Sequence, residues 1–157
     1  MRELAQLLND MRTAGVIENY ALFGAMAQMR YTEAVATLDA DVLVSVASPE
    51  RMDVLAAEGE AIRVGAWPVQ FVPVFSPLTR EAMEQADTAD FEGIPLRVVR
   101  ADHLAAIALS VGRAKDYARI LALLESSSVA RDQIARLAAR HGLSEAWQRF
   151  ETRFADD

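Results

Sequence analysis

The sequence predicts an α+β fold: a small mixed sheet flanked by helices and followed by a C-terminal helical subdomain. Three observations carry this reading. Short β-branched apolar runs alternate with helical patterns up to about residue 100. From residue 101 onward every strong pattern has helical spacing. The chain of 157 residues, 52% hydrophobic and 25% charged, is long enough to bury a core without staples. The expected division is an α+β core over residues 1–100 and a helical subdomain over 101–157.

Taken in order, residues 2–14 place Leu4, Leu7, Leu8 and Met11 at helical spacing, and Gly15 supplies a stop. Tyr20 to Phe23 reads as a short buried strand ended by Gly24, and the small-residue run 24–31 as a helix packed closely on it. Residues 37–46 (TLDADVLVSV) carry the strongest strand pattern. Ser48 caps a helix that begins at Pro49 and runs to Glu58. Residues 61–64 and 68–74 read as strands, a hairpin across Gly65-Ala66, with Pro68 and Pro73 placing the second at an edge or a bulge. Ser76-Pro77 opens a helix to about Ala89, and residues 94–99 form the last strand. Beyond it, four stripes mark four short helices: Leu104, Ile107, Ala108 and Val111; Tyr117, Ile120, Leu121 and Leu124; Ile134, Leu137 and Ala138; Trp147 and Phe150. Gly112 and Gly142 punctuate them.

Composition excludes several classes. The net charge is −7, with −8 carried by residues 1–111 and +1 by the rest. Nonspecific duplex DNA binding needs a basic footprint that such a chain lacks. The absence of cysteine excludes disulfide frameworks, zinc ribbons and thiol catalysis, and two histidines cannot build a His-rich metal centre. No apolar run is long enough for a membrane span, and Glu3, Gln6, Asn9, Asp10 and Arg12 interrupt any secretory core, so a cytoplasmic protein is expected. Dinucleotide and P-loop fingerprints, a nucleophile elbow and a His-Glu-x-x-His helix are all missing.

The informative stretch is Phe23-Gly24-Ala25 followed by Thr37-Leu38-Asp39-Ala40-Asp41-Val42. Residues two apart on a strand share a face, so Asp39 and Asp41 project together, with their α-carbons roughly 6.6 Å apart. Like charges this close repel, and a divalent cation with a preference for hard oxygen ligands is their natural partner. Leu38, Ala40, Val42 and Val44 then face the packed side. A chain with 11 aspartates produces about one such pair by chance, so spacing alone leaves two readings open, a metal-holding pair or solvated acids. The context, an apolar strand following a glycine turn, favours the first.

Gly24-Ala25, then Thr37-x-Asp39-x-Asp41, resembles the signature of the DNA polymerase β-type nucleotidyltransferase superfamily, in particular the small bacterial AbiEii and minimal-nucleotidyltransferase groups. The runs 67–73 (WPVQFVP), 101–109 (ADHLAAIAL) and Gly112-Arg113-Ala114-Lys115-Asp116 add to the likeness, which covers about residues 16–125. The resemblance implies a nucleotidyltransferase-type sheet, Mg²⁺ held by Asp39 and Asp41 (one ion or two), and a nucleoside triphosphate as substrate. It implies transfer of a nucleotidyl group to a hydroxyl on a protein, RNA or small molecule. Gly24, Ala25 and the following helix start would approach the phosphates, with Thr37, Lys115 and Arg119 as further nucleotide-binding residues. Lys115 and Arg119, four apart on a helix, share a face. Active members carry a third acid on a later strand, and the matching strand here, residues 69–74, offers Gln70 instead. Glu33, Asp102 and Asp116 are the acids available to substitute. The alternative is an inactive binding or regulatory module, antitoxin-like within a two-protein toxin–antitoxin system. A purely structural α+β domain that pairs through its C-terminal helices, as a homodimer, is a third reading.

Other residues carry two readings each. His103 is a satisfied helix-start residue or a site residue, and His141 is a partner of a helix C-terminus. Arg30 and Tyr31 line the cleft or end a solvated helix. Met26 and Met29 pack. Arg113, Lys115 and Asp116 form a site or a salt-bridged helix start. Trp147 and Phe150 dock the last helix or cover a partner surface.

Overall fold

A computed structural model describes residues 1–33, 39–47, 62–64 and 67–155. The chain order is α1 (Arg2–Thr13), β1 (Asn19–Phe23), α2 (Gly24–Gln28), β2 (Ala40–Ser45), β3 (Ile62–Val64), β4 (Trp67–Pro73), α3 (Pro77–Glu84), β5 (Asp87–Phe91), β6 (Ile94–Val98), α4 (Ala101–Val111), α5 (Ala114–Glu125), α6 (Arg131–Arg140) and α7 (Ser144–Arg153). The strands form one six-stranded sheet in the order β3-β4-β2-β1-β6-β5. The β2–β4 and β1–β6 pairs are parallel and the other three are antiparallel. The fold class is therefore α+β with a mixed sheet, as the sequence predicts. No helix among the described residues is long and apolar enough to cross a membrane.

The two central strands are covered on both faces. Tyr20, Ala21 and Leu22 of β1 and Val42, Leu43 and Val44 of β2 are all buried, so apolar continuity rather than alternation marks the sheet centre. Helix α4 is the hub of the remaining helices and touches α2, α3, α5, α6 and α7. Its small residues make this possible: Ala101, Ala105, Ala106 and Ala108 are buried together with Leu104, Ile107 and Leu109. Val111, the last residue of the predicted stripe, is instead 49% exposed. Trp147 and Phe150 stack at 5.2 Å and are buried, docking α7. On α5 the buried side chains are Asp116, Ile120 and Leu123, so the inward face is rotated from the predicted stripe, and Tyr117, Leu121 and Leu124 are half-buried.

Several boundaries differ from the sequence expectation. The helix expected over 24–31 ends at Gln28, and the strand expected from residue 37 begins at Ala40. The helix expected from Pro77 to Ala89 stops at Glu84, and Asp87–Phe91 is a strand. That strand is at the sheet edge and its residues are mostly exposed, so it carries no apolar signal of its own. Its place is decided by pairing with β6 through a two-residue turn, Glu92 (φ 52°) and Gly93 (φ 86°), both left-handed as the tightest hairpins require. Strand β4 is not an edge, because β3 pairs with it over Trp67–Val69. Pro73 is tolerated because β3 is too short to reach it, while Pro68 is the second residue of β4 and lies opposite Arg63. The start of α3 is as predicted: Pro77 is its first residue, and Ser76 Oγ accepts from the Thr79 N–H at 3.1 Å while Thr79 Oγ1 accepts from the Ser76 N–H at 3.1 Å. The helix expected over 49–58 with its Ser48 cap lies outside the described residues.

One carboxylate ties three helices together. Glu81 Oε2 on α3 accepts from His103 Nε2 of α4 at 2.8 Å, from Arg140 Nη2 of α6 at 2.8 Å and lies 3.3 Å from His141 Nε2. Burial alone would raise the Glu81 pKa, but these donors outweigh it and hold it at about 2. Asp102, half-buried and pushed up by burial, is likewise brought to about 2 by His103 and Arg100. Burial favours neutral His103, yet Asp102 and Glu81 outweigh it and raise its pKa above 6.5. His103 is thus a structural residue, and His141 joins the same carboxylate at the end of α6.

The signs follow by linkage. The histidine contribution is complete below about 6.5 and fades as pH rises through the raised folded value. The Glu81 contribution is complete above about 4.5 and fades as pH falls toward about 2. The junction is therefore strongest near pH 5–6, within these limits. Glu81→Gln should lower stability at pH 6 by about 3 kcal/mol, since it leaves His103 buried beside a weaker acceptor. It should also flatten the fall in stability between pH 6 and pH 8. Urea unfolding at several pH values measures both.

Candidate functional site

Strand β2 explains why the acid pair points outward. Ala40, Val42 and Val44 alternate with Asp39, Asp41 and Leu43, and the first set is wholly buried. On the other side the strand runs from a cleft at Asp39 and Asp41 into the core at Leu43. Asp41 is paired across the antiparallel ladder with Phe23, the residue before Gly24. Gly24 has φ 71°, and a β-carbon there would lie 2.6 Å from Asp41 Oδ2. The carboxylate fills the space that a side chain at position 24 would need, so both the backbone turn and the close approach require glycine.

The cleft has a volume of about 560 Å³. One wall is the β1–α2 turn, with Gly24, Ala25 and Gln28. A second is the acid pair, and a third is apolar, made by Leu104, Ile107 and Val111 of α4. The first turns of α5 close it with Lys115, Asp116 and Arg119, next to Arg113. Lys115 is the sole lysine of the chain. Arg119 Nε donates to Gln28 Oε1 at 2.9 Å. Asp116, 1% exposed, accepts from Arg113 Nε at 2.7 Å and lies 4.0 Å from Arg119 Nη1.

Electrostatics concentrate at Asp41. Burial pushes its carboxyl upward, the Asp39 charge pushes it further, and Arg119 and Lys115 pull partly back. Burial also lowers the Arg119 pKa, against the opposing pull of Asp116 and Asp41. Two acids thus face two cations across one cleft. A doubly charged cation between the acids would relieve their repulsion, and an anion near Lys115 and Arg119 would complement the cations.

The predicted residues fall into three groups. Asp39, Asp41, Gly24, Ala25, Lys115 and Arg119 line one cleft. Thr37 lies outside the described residues. Gln70 is exposed and pairs with Asp41 in the parallel ladder, so it shares that face one strand away, but it is not part of the cleft wall. Among the described residues no three His, Cys, Asp or Glu side chains are grouped to hold a metal. The acids considered as substitutes go elsewhere. Asp102 is engaged with Arg100 and His103, Glu33 is exposed, and Asp116 reaches the cleft but serves two arginines. Arg30 and Tyr31 do not line the cleft: Arg30 pairs with Asp87, and Tyr31 Oη donates to the Val99 carbonyl at 3.0 Å. Sequence reasoning missed Gln28, whose partner is 91 positions away.

Among solved structures, the crystal structure of an antigenic nucleotidyltransferase-like protein from Paracoccidioides brasiliensis aligns with 92% of this chain and 88% of its own, at 14% identity and a TM-score of 0.55. This chain has a nucleotidyltransferase-like fold. Two structures of the antibiotic-resistance factor ANT(2'')-Ia also align, one in solution and one a crystal complex with adenylyl-2''-tobramycin. Their identities are 13% and 10% and their TM-scores 0.47 and 0.43, over 98% and 96% of this chain and 95% and 98% of theirs. No family model matches the chain, and no curated protein matches it in sequence. In this nucleotidyltransferase-like fold the glycine turn and the acid strand are adjacent in the sheet, and α5 lies across the cleft from both.

The Gly24–Asp41 contact is open to test. Gly93→Ala should cost about 1–2 kcal/mol in urea unfolding for its left-handed backbone, and Gly24→Ala should cost more, since its β-carbon must also displace the Asp41 carboxylate. A β-carbon at Gly93 meets nothing within 4 Å, so only Gly24→Ala should move the Asp41 carboxyl ¹³C resonance. An equal response in the two variants would reject the contact.

Proposed function

We propose that this chain binds Mg²⁺–nucleoside triphosphate in the cleft and transfers a nucleotidyl group to a hydroxyl acceptor. The observation that supports it most is the convergence of Asp39 and Asp41 with Gly24, Lys115 and Arg119 around one cleft of about 560 Å³, a size suited to a small-molecule ligand. The donor set fits a hard divalent cation: Asp41 on β2 and Asp39 just before it both line the cleft, and burial with repulsion from Asp39 pushes the Asp41 carboxyl upward. Asp39 and Asp41 would hold the ion, which when bound neutralises the triphosphate and orients the attacking and leaving oxygens.

The rest of the chemistry belongs to side chains of this chain. Lys115 and Arg119 bind the anionic end of the nucleotide, and Gly24 lets the chain pass close beside it. The acceptor oxygen forms a bond to the α-phosphorus as the bond from that phosphorus to the bridging oxygen breaks, and pyrophosphate leaves. The hydroxyl proton passes to water in the open cleft, since the strand beside Asp41 offers Gln70, which has no proton affinity. The apolar wall of Leu104, Ile107 and Val111 suits a base or the body of an acceptor.

A second reading rests on Gln70. It holds the position beside Asp41 where a third acid would stand, and it has neither charge nor proton affinity. On that reading the chain is a nucleotide-binding or regulatory module without turnover, in the manner of the small AbiEii-like proteins and their toxin–antitoxin partners.

A thermal-shift panel of nucleotides with and without Mg²⁺ is the first experiment, because a ligand bound to the folded state raises its apparent stability. Asp39→Asn and Asp41→Asn should each abolish the Mg²⁺-dependent shift, and a shift intact in both would remove the metal assignment. Lys115→Met should weaken triphosphate binding about tenfold, the worth of one charge-assisted contact. Labelled-nucleotide transfer separates the two readings. Transfer by the native chain supports the enzyme, and transfer only after Gln70→Asp supports the inactive module.

A further inference from the structure

Arg119 is held in an unusual way for a buried cation. Its side chain is 17% exposed, and its Nε–H is committed to a neutral amide, Gln28 Oε1, at 2.9 Å. Asp116 Oδ1 makes only a long ion pair with it, at 4.0 Å and beyond hydrogen-bond distance, and Asp116 gives its short contacts to Arg113. Gln28 is itself 4% exposed, and its amide nitrogen reaches toward Thr32 Oγ1 at 3.4 Å, which fixes the amide with its oxygen facing Arg119. An amide orients a guanidinium without cancelling its charge, whereas a carboxylate at the same place would do both.

We propose that Gln28 is a positioning residue that aims the Arg119 guanidinium into the cleft with its charge left for the polyphosphate of the bound nucleotide. This rests on the nucleotide reading of the same cleft. Gln28 comes from the helix that begins at Gly24, so the bond couples the glycine turn to α5 across the site. The arrangement also explains why a polar side chain is buried at a position where α2 otherwise packs with Met26 and Ala27. Gln28 touches neither phosphate nor metal in this scheme and acts only through Arg119.

The test is a double-mutant cycle on the full chain, with Mg²⁺–ATP and Mg²⁺–tripolyphosphate as probes, and with the arginine Nε–H region of the ¹⁵N spectrum as a readout independent of nucleotide. Gln28→Met should broaden or lose the Arg119 Nε–H signal and weaken both probes about tenfold. Arg119→Met should weaken them at least as much, and Gln28→Met should add nothing in that background. Gln28→Glu should keep the Nε–H signal while still weakening both probes, because the anchor remains and the charge is cancelled. This separates positioning from a packing role and serves if the Met variant folds poorly. Additive losses, or unchanged binding with an unchanged Nε–H signal in Gln28→Met, would overturn the proposal. A native chain that binds neither probe would instead overturn the nucleotide reading, and the Nε–H signal would still decide whether Gln28 holds Arg119.

Discussion

The contact between Gly24 and Asp41 is the constraint around which the cleft is organised. A carboxylate oxygen occupies the place of a missing β-carbon, so the turn out of β1 and the acid on β2 are set by one another. Because Asp41 is also the ladder partner of Phe23, the turn cannot shift without disturbing the central strand pair. The same glycine starts α2, which places Gln28 under α5. A strand pair, a turn and a helix are thereby fixed by one close approach.

The second constraint is electrostatic. A chain of net charge −7 brings its only lysine and two of its arginines to the rim of a cleft that already contains three aspartates. The charges are sorted rather than mixed. Asp116 bonds Arg113 closely and Arg119 only at 4.0 Å, Gln28 holds Arg119 through a neutral amide, and Asp39 and Asp41 keep to the sheet side. Such sorting in a partly buried space leaves two local imbalances of opposite sign, and the proposed binding of a metal–polyphosphate pair rests on them.

Far from the cleft, the placement of α4 is set by the Glu81 junction and by alanine packing. With His103 on its first turn bound to α3 and to the end of α6 through one carboxylate, α4 presents Leu104, Ile107 and Val111 to the cleft along its length. The histidines of this chain serve architecture, and the cleft is lined instead by carboxylates and cations.

Local chemistry alone determined a good deal here. The period of two along residues 39–42, the apolar stripes of the C-terminal helices other than α5, the Ser76-Pro77 start and the shared cleft of Asp39 and Asp41 are all consequences of backbone geometry acting over a few residues. That reading placed Lys115 and Arg119 on one helical face, and the cleft receives both. What tertiary structure decided lies at longer range. The strand order, the parallel pairing of β2 with β4, the edge strand β5 and the inward turn of Asp116 depend on partners that a local pattern cannot specify. Strand β5 is polar and acquires its form only by hydrogen bonding to β6. Glu81 meets His141 across 60 positions and Gln28 meets Arg119 across 91, and nothing in either neighbourhood encodes the other. Polar side chains are buried at those places because a distant partner satisfies them, and that satisfaction exists only once the chain has folded.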